Sequence, residues 1–202
     1  MPATPDYAFD EPGWCRAATR YASPWCDQRP AGLAIDLLVI HNVSLPAGRF
    51  GGPHVADLFT GRLDARADPS FADLRGLRVS SHFLIRRDGR LLQFVPTDAR
   101  AWHAGLSAFA GRERCNDFSI GIELEGTDTL PFEAVQYAVL AALSAALLSR
   151  HPLTAVRGHE HIAPGRKSDP GPCFDWRRYA TLLSETPALV ATPGVVGFPP
   201  GT

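Results

Sequence analysis

The stretch Ile35-Asp36-Leu37-Leu38-Val39-Ile40-His41-Asn42-Val43 is almost continuously apolar, with β-branched residues at its centre. A strand of this composition is covered on both faces, which predicts a central position in a sheet flanked by helices. His41 stands at the C-terminal end, just before the breakers Pro46 and Gly48. Sites on α/β scaffolds lie at this edge of the sheet. A histidine there can also be a core residue bonded to backbone, and the strand alone does not decide between the two.

A second stretch, Gly158-His159-Glu160-His161-Ile162-Ala163-Pro164-Gly165-Arg166-Lys167-Ser168-Asp169-Pro170-Gly171-Pro172, contains two imidazoles, an ammonium and a carboxylate. Its prolines and glycines disrupt regular structure, so we predict a loop that turns His159 and Asp169 toward one point. Zinc in hydrolytic sites takes three ligands from His, Asp, Glu or Cys and leaves one position for water. The loop supplies two such ligands, and His41 is the candidate for the third.

Residues 119–126 alternate strictly, with Gly121, Glu123 and Glu125 on the face opposite the isoleucines and leucine. A glutamate that faces a cavity rimmed by histidines is a candidate general base, whereas one that faces solvent is unremarkable. Alternation alone does not choose between Glu123 and Glu125.

The rest of the chain reads as one domain of the α/β (α+β) class, with a mixed central β-sheet flanked by helices. We predict an irregular N-terminal arm over residues 1–30, the domain over 31–186 and a Pro/Gly-rich tail over 187–202. Trp102-His103-Ala104-Gly105 lies in a loop that could line a cleft. The patterns predict a short helix over 53–60, a loop over 61–76, a hairpin of strands 79–86 and 91–95 with a type I′ turn at Asp88-Gly89, a long helix over 132–150, a short strand over 154–157 and a last helix over about 175–183.

Composition excludes several classes of function. The 202 residues include 20 basic and 21 acidic ones, so the net charge of −1 predicts no general attraction to nucleic acid or to anionic membranes. The most apolar stretch, residues 138–148, is too short to span a bilayer. The N-terminus lacks the pattern of a secretory signal, which predicts a cytoplasmic protein with four free cysteines. A Cys15–Cys26 disulfide is conceivable only for an exported protein.

Six segments together resemble the zinc-dependent N-acetylmuramoyl-L-alanine amidases, and most closely the cytoplasmic branch that acts on 1,6-anhydro-N-acetylmuramyl peptides. They occur in the family's order over about residues 33–180. The segments are Val39-Ile40-His41-Asn42-Val43-Ser44-Leu45-Pro46, Phe50-Gly51-Gly52-Pro53, Leu84-Ile85-Arg86-Arg87-Asp88-Gly89, Ala101-Trp102-His103-Ala104-Gly105, residues 111–128 and the loop over 158–172.

The resemblance implies the sheet architecture shared with peptidoglycan recognition proteins and one zinc ion per chain. It implies zinc ligands at His41, His159 and Asp169. The family's catalytic glutamate falls on Glu123 and its lysine on Lys167. The expected reaction is hydrolysis of the amide bond between anhydro-N-acetylmuramic acid and L-alanine of a small muropeptide, in peptidoglycan recycling, by a monomer.

Four further residues are expected to bind that substrate. Arg78 and Arg114 match basic positions of the family's cleft, which suits a peptide that carries carboxylates. Asn42 and His103 are expected to hydrogen-bond the sugar or the peptide. One residue departs from the family, since His161 stands where an aspartate is usual, and we expect it to lie outside the metal's own ligands.

Two alternatives stay open. Peptidoglycan recognition proteins include members that bind muropeptides without hydrolysing them, although these typically lack a zinc ligand. A periplasmic amidase that acts on intact peptidoglycan would share the same residues.

Overall fold

The computed structural model describes residues 5–186 and 196–201. The strands are β1 (Thr19–Arg20), β2 (Cys26–Gln28), β3 (Leu37–Val43), β4 (Phe83–Ile85), β5 (Leu91–Gln93), β6 (Ala99–Ala101), β7 (Ala108–Phe109), β8 (Arg112–Glu113), β9 (Ser119–Glu125) and β10 (Ala155–Gly158). The helices are α1 (His54–Phe59), α2 (Ala134–Arg150), α3 (His159–Ile162) and α4 (Trp176–Ser184), with 3-10 turns at Pro69–Leu74 and Cys115–Asp117.

A six-stranded mixed sheet in the order β1-β5-β4-β9-β3-β10 forms the centre of the domain. The strands β4, β9, β3 and β10 run parallel to one another, while β5 is antiparallel to β4. The predicted mixed sheet with flanking helices is therefore confirmed. As the apolar sequence of β3 predicted, its first five residues are all buried.

Both faces of the sheet are covered. Leu38 and Ile40 on β3 face the side on which α2 and α4 pack. Leu37 and Val39 face the other side, where they join a cluster formed by α3 and the segment that precedes β9. A third cluster places α1 against β4 and β5.

The long helix α2 begins at a capping box. The Glu133 side chain accepts the N–H at the third helical position, and Gln136 accepts the N–H of Glu133. Gln136 is fully buried and also donates to the carbonyl oxygens of Ile85 and Glu125, which ties the helix start to β4 and β9. The helix ends before Pro152, whose ring disfavours helical backbone at the preceding residue.

The hairpin is confirmed but its turn is not type I′. That turn requires positive φ at both central residues. Here Gly89 has a φ of +83°, whereas the φ of Asp88 is not positive. The Gly89 N–H donates to the Arg86 carbonyl, and Arg86 pairs with Arg90 across a three-residue loop. The loop is a type I turn followed by a left-handed glycine, the other common solution for a hairpin.

The predicted irregular arm contains two short strands. β1 is parallel to β5 at the edge of the main sheet, and β2 is antiparallel to β6. Cys15 is fully buried, and its N–H donates to Gln93 Oε1 at 2.7 Å. Local sequence could not show this, because both strands pair with residues about 70 positions further along the chain.

Both the predicted loop and the predicted tail contain hydrogen-bonded segments. The predicted loop over 61–76 includes the turn Pro69–Leu74, which Asp68 caps by accepting the N–H of Ser70 at 2.9 Å. In the predicted tail, residues 187–195 and 202 lie outside the described residues. Gly197 pairs with the strand β10, since its N–H donates to Thr154 and its carbonyl accepts from Val156.

All four cysteines are free thiols, as predicted. Among the described residues, none of the helices is both long and apolar enough to cross a membrane.

Candidate active site

Three neighbouring parallel strands deliver the predicted site residues to one edge of the sheet. Gly158, the last residue of β10, pairs with Ile40 of β3, so that His159 and His41 follow side by side. On the other side of β3, His41 pairs directly with Glu123 of β9. The carboxyl edge of the sheet therefore carries two histidines and a glutamate in one row, as expected for an α/β site.

The segment after β10 is not a continuous loop, because its first residues form the one-turn helix α3. His161 Nδ1 accepts the N–H of Gly158 at 2.9 Å and so satisfies a donor at the start of the helix. The loop then returns, and the N–H of Glu160 donates to the carbonyl of Asp169 at 2.9 Å. This return brings the Asp169 side chain back beside His159.

His41, His159 and Asp169 converge on one point. The Nδ1 atoms of the two histidines are 3.0 Å apart, and Asp169 Oδ2 lies 2.9 Å from His41 Nδ1 and 3.1 Å from His159 Nδ1. A tetrahedral zinc with bonds of about 2.0–2.1 Å places its ligand atoms about 3.3 Å apart. The three atoms are thus close to the spacing that such an ion requires, and we consider them a candidate metal centre.

The Nε2 atoms of His41 and His159, which point away from the candidate metal position, also have partners within hydrogen-bonding distance. His159 Nε2 lies 3.0 Å from the carbonyl oxygen of Ala104, which can only accept, so Nε2 carries the proton and Nδ1 presents a lone pair. His41 Nε2 lies 2.9 Å from His103 Nδ1. Metal-binding histidines commonly make such contacts through the nitrogen that points away from the ion.

The electrostatics of the three groups suit a cation. Burial lowers the pKa of His41 to about 4, so the imidazole is neutral at pH 7. Burial alone would raise the pKa of Asp169, but its contacts with the ring nitrogens of His159 and His41 outweigh burial and hold that pKa well below its usual range. The cluster therefore presents one negative charge and a neutral imidazole toward the same point.

The two glutamates of β9 differ sharply in their partners. Glu125 forms a buried ion pair with Arg86 at 2.7 Å and also accepts the N–H of Gly51. Glu123 is buried as well, but its Oε2 has no hydrogen-bond partner. Burial, followed by the charge of Asp169, raises the pKa of Glu123 well above its usual value, while Lys167 opposes the shift.

A cavity of about 210 Å³ joins these groups. Its walls include the three candidate metal ligands together with Asn42, His103, Glu123 and Lys167. A larger groove of about 760 Å³ lies between α2 and the N-terminal segment, and mostly alanine and aromatic side chains line it. Chemistry rather than size identifies the smaller cavity as the candidate active site.

Comparison with known proteins agrees with this geometry. A family model described as N-acetylmuramoyl-L-alanine amidase matches residues 31–172, a range that contains β3, β9 and the whole candidate metal centre. The chain belongs to this amidase family. Membership of the family identifies the protein as an amide hydrolase, which agrees with the cluster of histidines, aspartate and buried glutamate.

The relatives within the family are similar over most of their length. The 1,6-anhydro-N-acetylmuramyl-L-alanine amidase AmpD of Citrobacter freundii is 57% identical over 174 residues, which cover 85% of this chain and 93% of that protein. A crystal structure of a selenomethionine derivative of AmpD has a TM-score of 0.85 and 56% identity, over 87% of this chain and 98% of the other. The amidase AmiD of E. coli, solved with anhydro-N-acetylmuramic acid-L-Ala-D-gamma-Glu-L-Lys, has a TM-score of 0.54 and 32% identity, over 87% of this chain and 65% of that one.

In this amidase, three of the four residues predicted to bind substrate, Asn42, Arg78 and Arg114, have different surroundings. Both hydrogens of the Asn42 amide are used, because Nδ2 donates to Asp128 and to the carbonyl of Pro170. Arg78 lies over the ring of Trp25 in a hollow of about 240 Å³ that adjoins the cavity. Arg114 is largely exposed and pairs with Asp117 at 3.2 Å.

His161 lies outside the candidate metal ligands, as predicted. Its Nδ1 is occupied by the N–H of Gly158, and its ring packs edge-on against Trp176 with a centroid distance of 5.5 Å. The imidazole therefore caps the N-terminus of α3, the helix that begins with His159.

The sequence did not reveal two residues, Asn116 and Arg166, that hydrogen-bond the backbone of the segment in contact with the candidate metal ligands. Asn116 Oδ1 accepts the N–H groups of His103 and Ala104, at 3.1 and 2.8 Å. Arg166 Nη2 donates to the Ala104 carbonyl at 2.7 Å. Gly121 on β9 signals only the close approach of the His103 ring, and no local signal points to Asn116 or Arg166.

Proposed function

We propose that this protein is a zinc-dependent amidase that hydrolyses the bond between anhydro-N-acetylmuramic acid and L-alanine in muropeptides, during peptidoglycan recycling. The observation that carries the proposal is the buried, unpartnered Glu123 carboxylate in the same cavity as the His41, His159 and Asp169 cluster. The name of the similar AmpD amidase and the muropeptide bound to AmiD support the choice of substrate.

The donor set fits zinc. Two imidazole nitrogens and one carboxylate oxygen match the ligand types of hydrolytic zinc sites, which keep a further position open. When bound, zinc acts as a Lewis acid that polarises an amide carbonyl and makes water more acidic. The cavity beside the three donors leaves room for water at that further position.

Glu123 is the proposed proton carrier. Its Oε2 takes a proton from the attacking water as the new C–O bond forms, and it passes that proton to the alanine nitrogen as the C–N bond breaks. The products are a lactyl carboxylic acid and a free α-amine. Burial raises the pKa of Glu123 above its usual value, which makes its carboxylate a stronger base than that of an exposed glutamate.

Lys167 is proposed to stabilise the negative charge that develops on the amide oxygen. Lys167 lines the cavity, and its positive charge lowers the pKa of Glu123. A positioned cation in a site with little water stabilises such a charge far better than it would in bulk solvent.

Arg78 and Arg114 are proposed to attract the carboxylates of the stem peptide. In support of this proposal, Arg78 lines a hollow that shares Leu58 and Leu77 with the cavity, and the Arg114 side chain is 69% exposed. A cytoplasmic location and a monomeric state stay predictions from the sequence. Cell fractionation and sedimentation would test them.

The experiment that tests the proposal compares Glu123→Gln with Glu125→Gln. Both changes remove one charge from the same face of β9. Turnover of purified anhydromuropeptide should fall by a factor on the order of 10² to 10⁴ in Glu123→Gln, with zinc content unchanged. Glu125→Gln should keep turnover near that of the wild type for each folded molecule. Equal losses in the two variants would contradict the assignment of Glu123.

Two parallel measurements with the wild-type protein separate the alternatives. Release of peptide from intact peptidoglycan, at a rate like that from anhydromuropeptide, would favour an amidase that acts on the cell wall. Binding of muropeptide without any hydrolysis in the presence of zinc would show a binding protein and refute the proposal.

A further inference from the structure

We propose that His103 is a positioning residue that holds His41 in the tautomer and orientation needed to bind a metal. This inference rests on the proposed metal centre and adds a residue to it. It also differs from the expectation that His103 binds substrate.

The contacts of His103 form a chain behind the candidate metal centre. His103 Nδ1 lies 2.9 Å from His41 Nε2, and His103 Nε2 lies 3.1 Å from Ser119 Oγ. The two imidazole rings meet edge to face at 87°, with a centroid distance of 5.1 Å. Both nitrogens of His103 therefore have a protein partner within hydrogen-bonding distance, and neither is left for a muropeptide.

The direction of these hydrogen bonds follows from the role of His41. A ligand nitrogen must present a lone pair, so the proton of a neutral His41 has to be on Nε2 when Nδ1 binds a metal. His103 Nδ1 must then accept that proton, which places the proton of His103 on Nε2, where Ser119 Oγ accepts it. If His103 Nδ1 were the donor, a neutral His41 would be protonated on the nitrogen that faces Asp169.

Gly121 leaves space on β9 against which the His103 ring packs. A Cβ atom at Gly121 would lie only 2.6 Å from His103 Cγ and 2.7 Å from its Nδ1, so any other residue at position 121 would displace the ring. The backbone of the same segment is held by Asn116 Oδ1, which accepts the N–H groups of His103 and Ala104.

One segment thus supports both histidines of the centre. His103 contacts His41 through its side chain, and the next residue, Ala104, contacts His159 Nε2 through its carbonyl oxygen at 3.0 Å. A displacement of this segment would change the orientation of both rings together.

A pair of variants of similar size tests the inference. In His103→Asn, the carbonyl oxygen of the side chain stands near the position of Nδ1 and can still accept from His41, whereas His103→Leu has no acceptor. Zinc affinity, measured by competition with a chromophoric chelator, should fall 10- to 100-fold in His103→Leu. The affinity of His103→Asn should stay within a few-fold of the wild type.

The alternative role gives a different pattern. If His103 binds substrate, both variants should hold zinc as tightly as the wild type while KM for anhydromuropeptide rises, and that result would overturn the inference. If the wild type itself binds no zinc, or does not hydrolyse the muropeptide, the proposed function fails first. Zinc binding and turnover in the wild type, with unchanged zinc affinity in His103→Leu, would reject only the role of His103.

A measurement on the unmodified, zinc-loaded protein makes the test independent of how the variants fold. The proposed N–H···N hydrogen bond should give a scalar coupling between His41 Nε2 and His103 Nδ1 in ¹⁵N-labelled protein. Its proton should be attached to His41. A proton attached to His103 Nδ1, or an absent coupling with the Nε2 of His41 exchanging freely with water, would overturn the inference.

Discussion

Replacing Glu125 with alanine should lower the free energy of unfolding by about 3–5 kcal/mol, because it leaves a buried cation without its partner. Glu125 Oε1 lies 2.7 Å from Arg86 Nη1, and the side chains are only 2% and 8% exposed. The same oxygen accepts the N–H of Gly51 at 2.7 Å. For a chain of this length each kcal/mol shifts the Tm by about 2–4 °C, so the expected fall is roughly 6–20 °C.

The assay is urea and thermal unfolding of Glu125→Ala, Arg86→Ala and the double variant, followed by circular dichroism. The double variant should be more stable than the sum of the two single losses predicts, because it no longer contains an unpaired buried charge. Glu125→Gln keeps an acceptor for Gly51 and should lose less than the alanine variant. A loss below about 1 kcal/mol in Glu125→Ala, or strict additivity in the cycle, would refute this reasoning.

Three further outcomes are expected. Burial beside Thr97 lowers the pKa of His151 from about 6.5 to about 4, so the unfolded chain binds more protons in this range. Stability should therefore fall by at most about 3 kcal/mol as the pH drops through it, and His151→Gln should flatten that dependence in unfolding titrations. His161→Asp should retain zinc and turnover, since aspartate can also accept the N–H of Gly158, whereas His161→Leu should lose about 1 kcal/mol in thermal melts. Asp169→Ala should lose its zinc on dialysis, and metal analysis that finds one equivalent would contradict its role.

The elements that lie deepest in the fold could be predicted from the sequence. The run over 35–43 indicated a central strand, and the structure places β3 between β9 and β10 with its apolar residues buried. His41 was the candidate third ligand because it ends that strand, and the structure adds the reason for the convergence, since β10 lies beside β3 and parallel to it. Continuous apolar composition is a strong local signal, and here tertiary packing did not override the strand that it predicted.

The errors lie where pairing between distant segments decides the structure. β1 and β2 exist because Leu92–Gln93 and Ala99–Ala101 offer them partners, and nothing in the first thirty residues encodes those partners. The hairpin turn failed for a different reason. The dipeptide Asp88-Gly89 suits two turn types, and the pairing of Arg86 with Arg90 selected the one with a single left-handed residue.

Glu123 and Glu125 show why the site needed three-dimensional information. The two residues have the same charge, the same strand and the same side of the alternation, so alternation could not separate them and only the family resemblance pointed to Glu123. The difference is the arrival of Arg86 from the hairpin, which neutralises Glu125 and leaves Glu123 Oε2 without a partner. Burial without a partner raises the pKa of a carboxyl group, whereas in a buried ion pair the loss of either partner leaves a costly unpaired charge. The two carboxylates of one strand are thus distinguished by an arginine nearly forty positions away, which pairs with Glu125 and leaves Glu123 Oε2 without a partner.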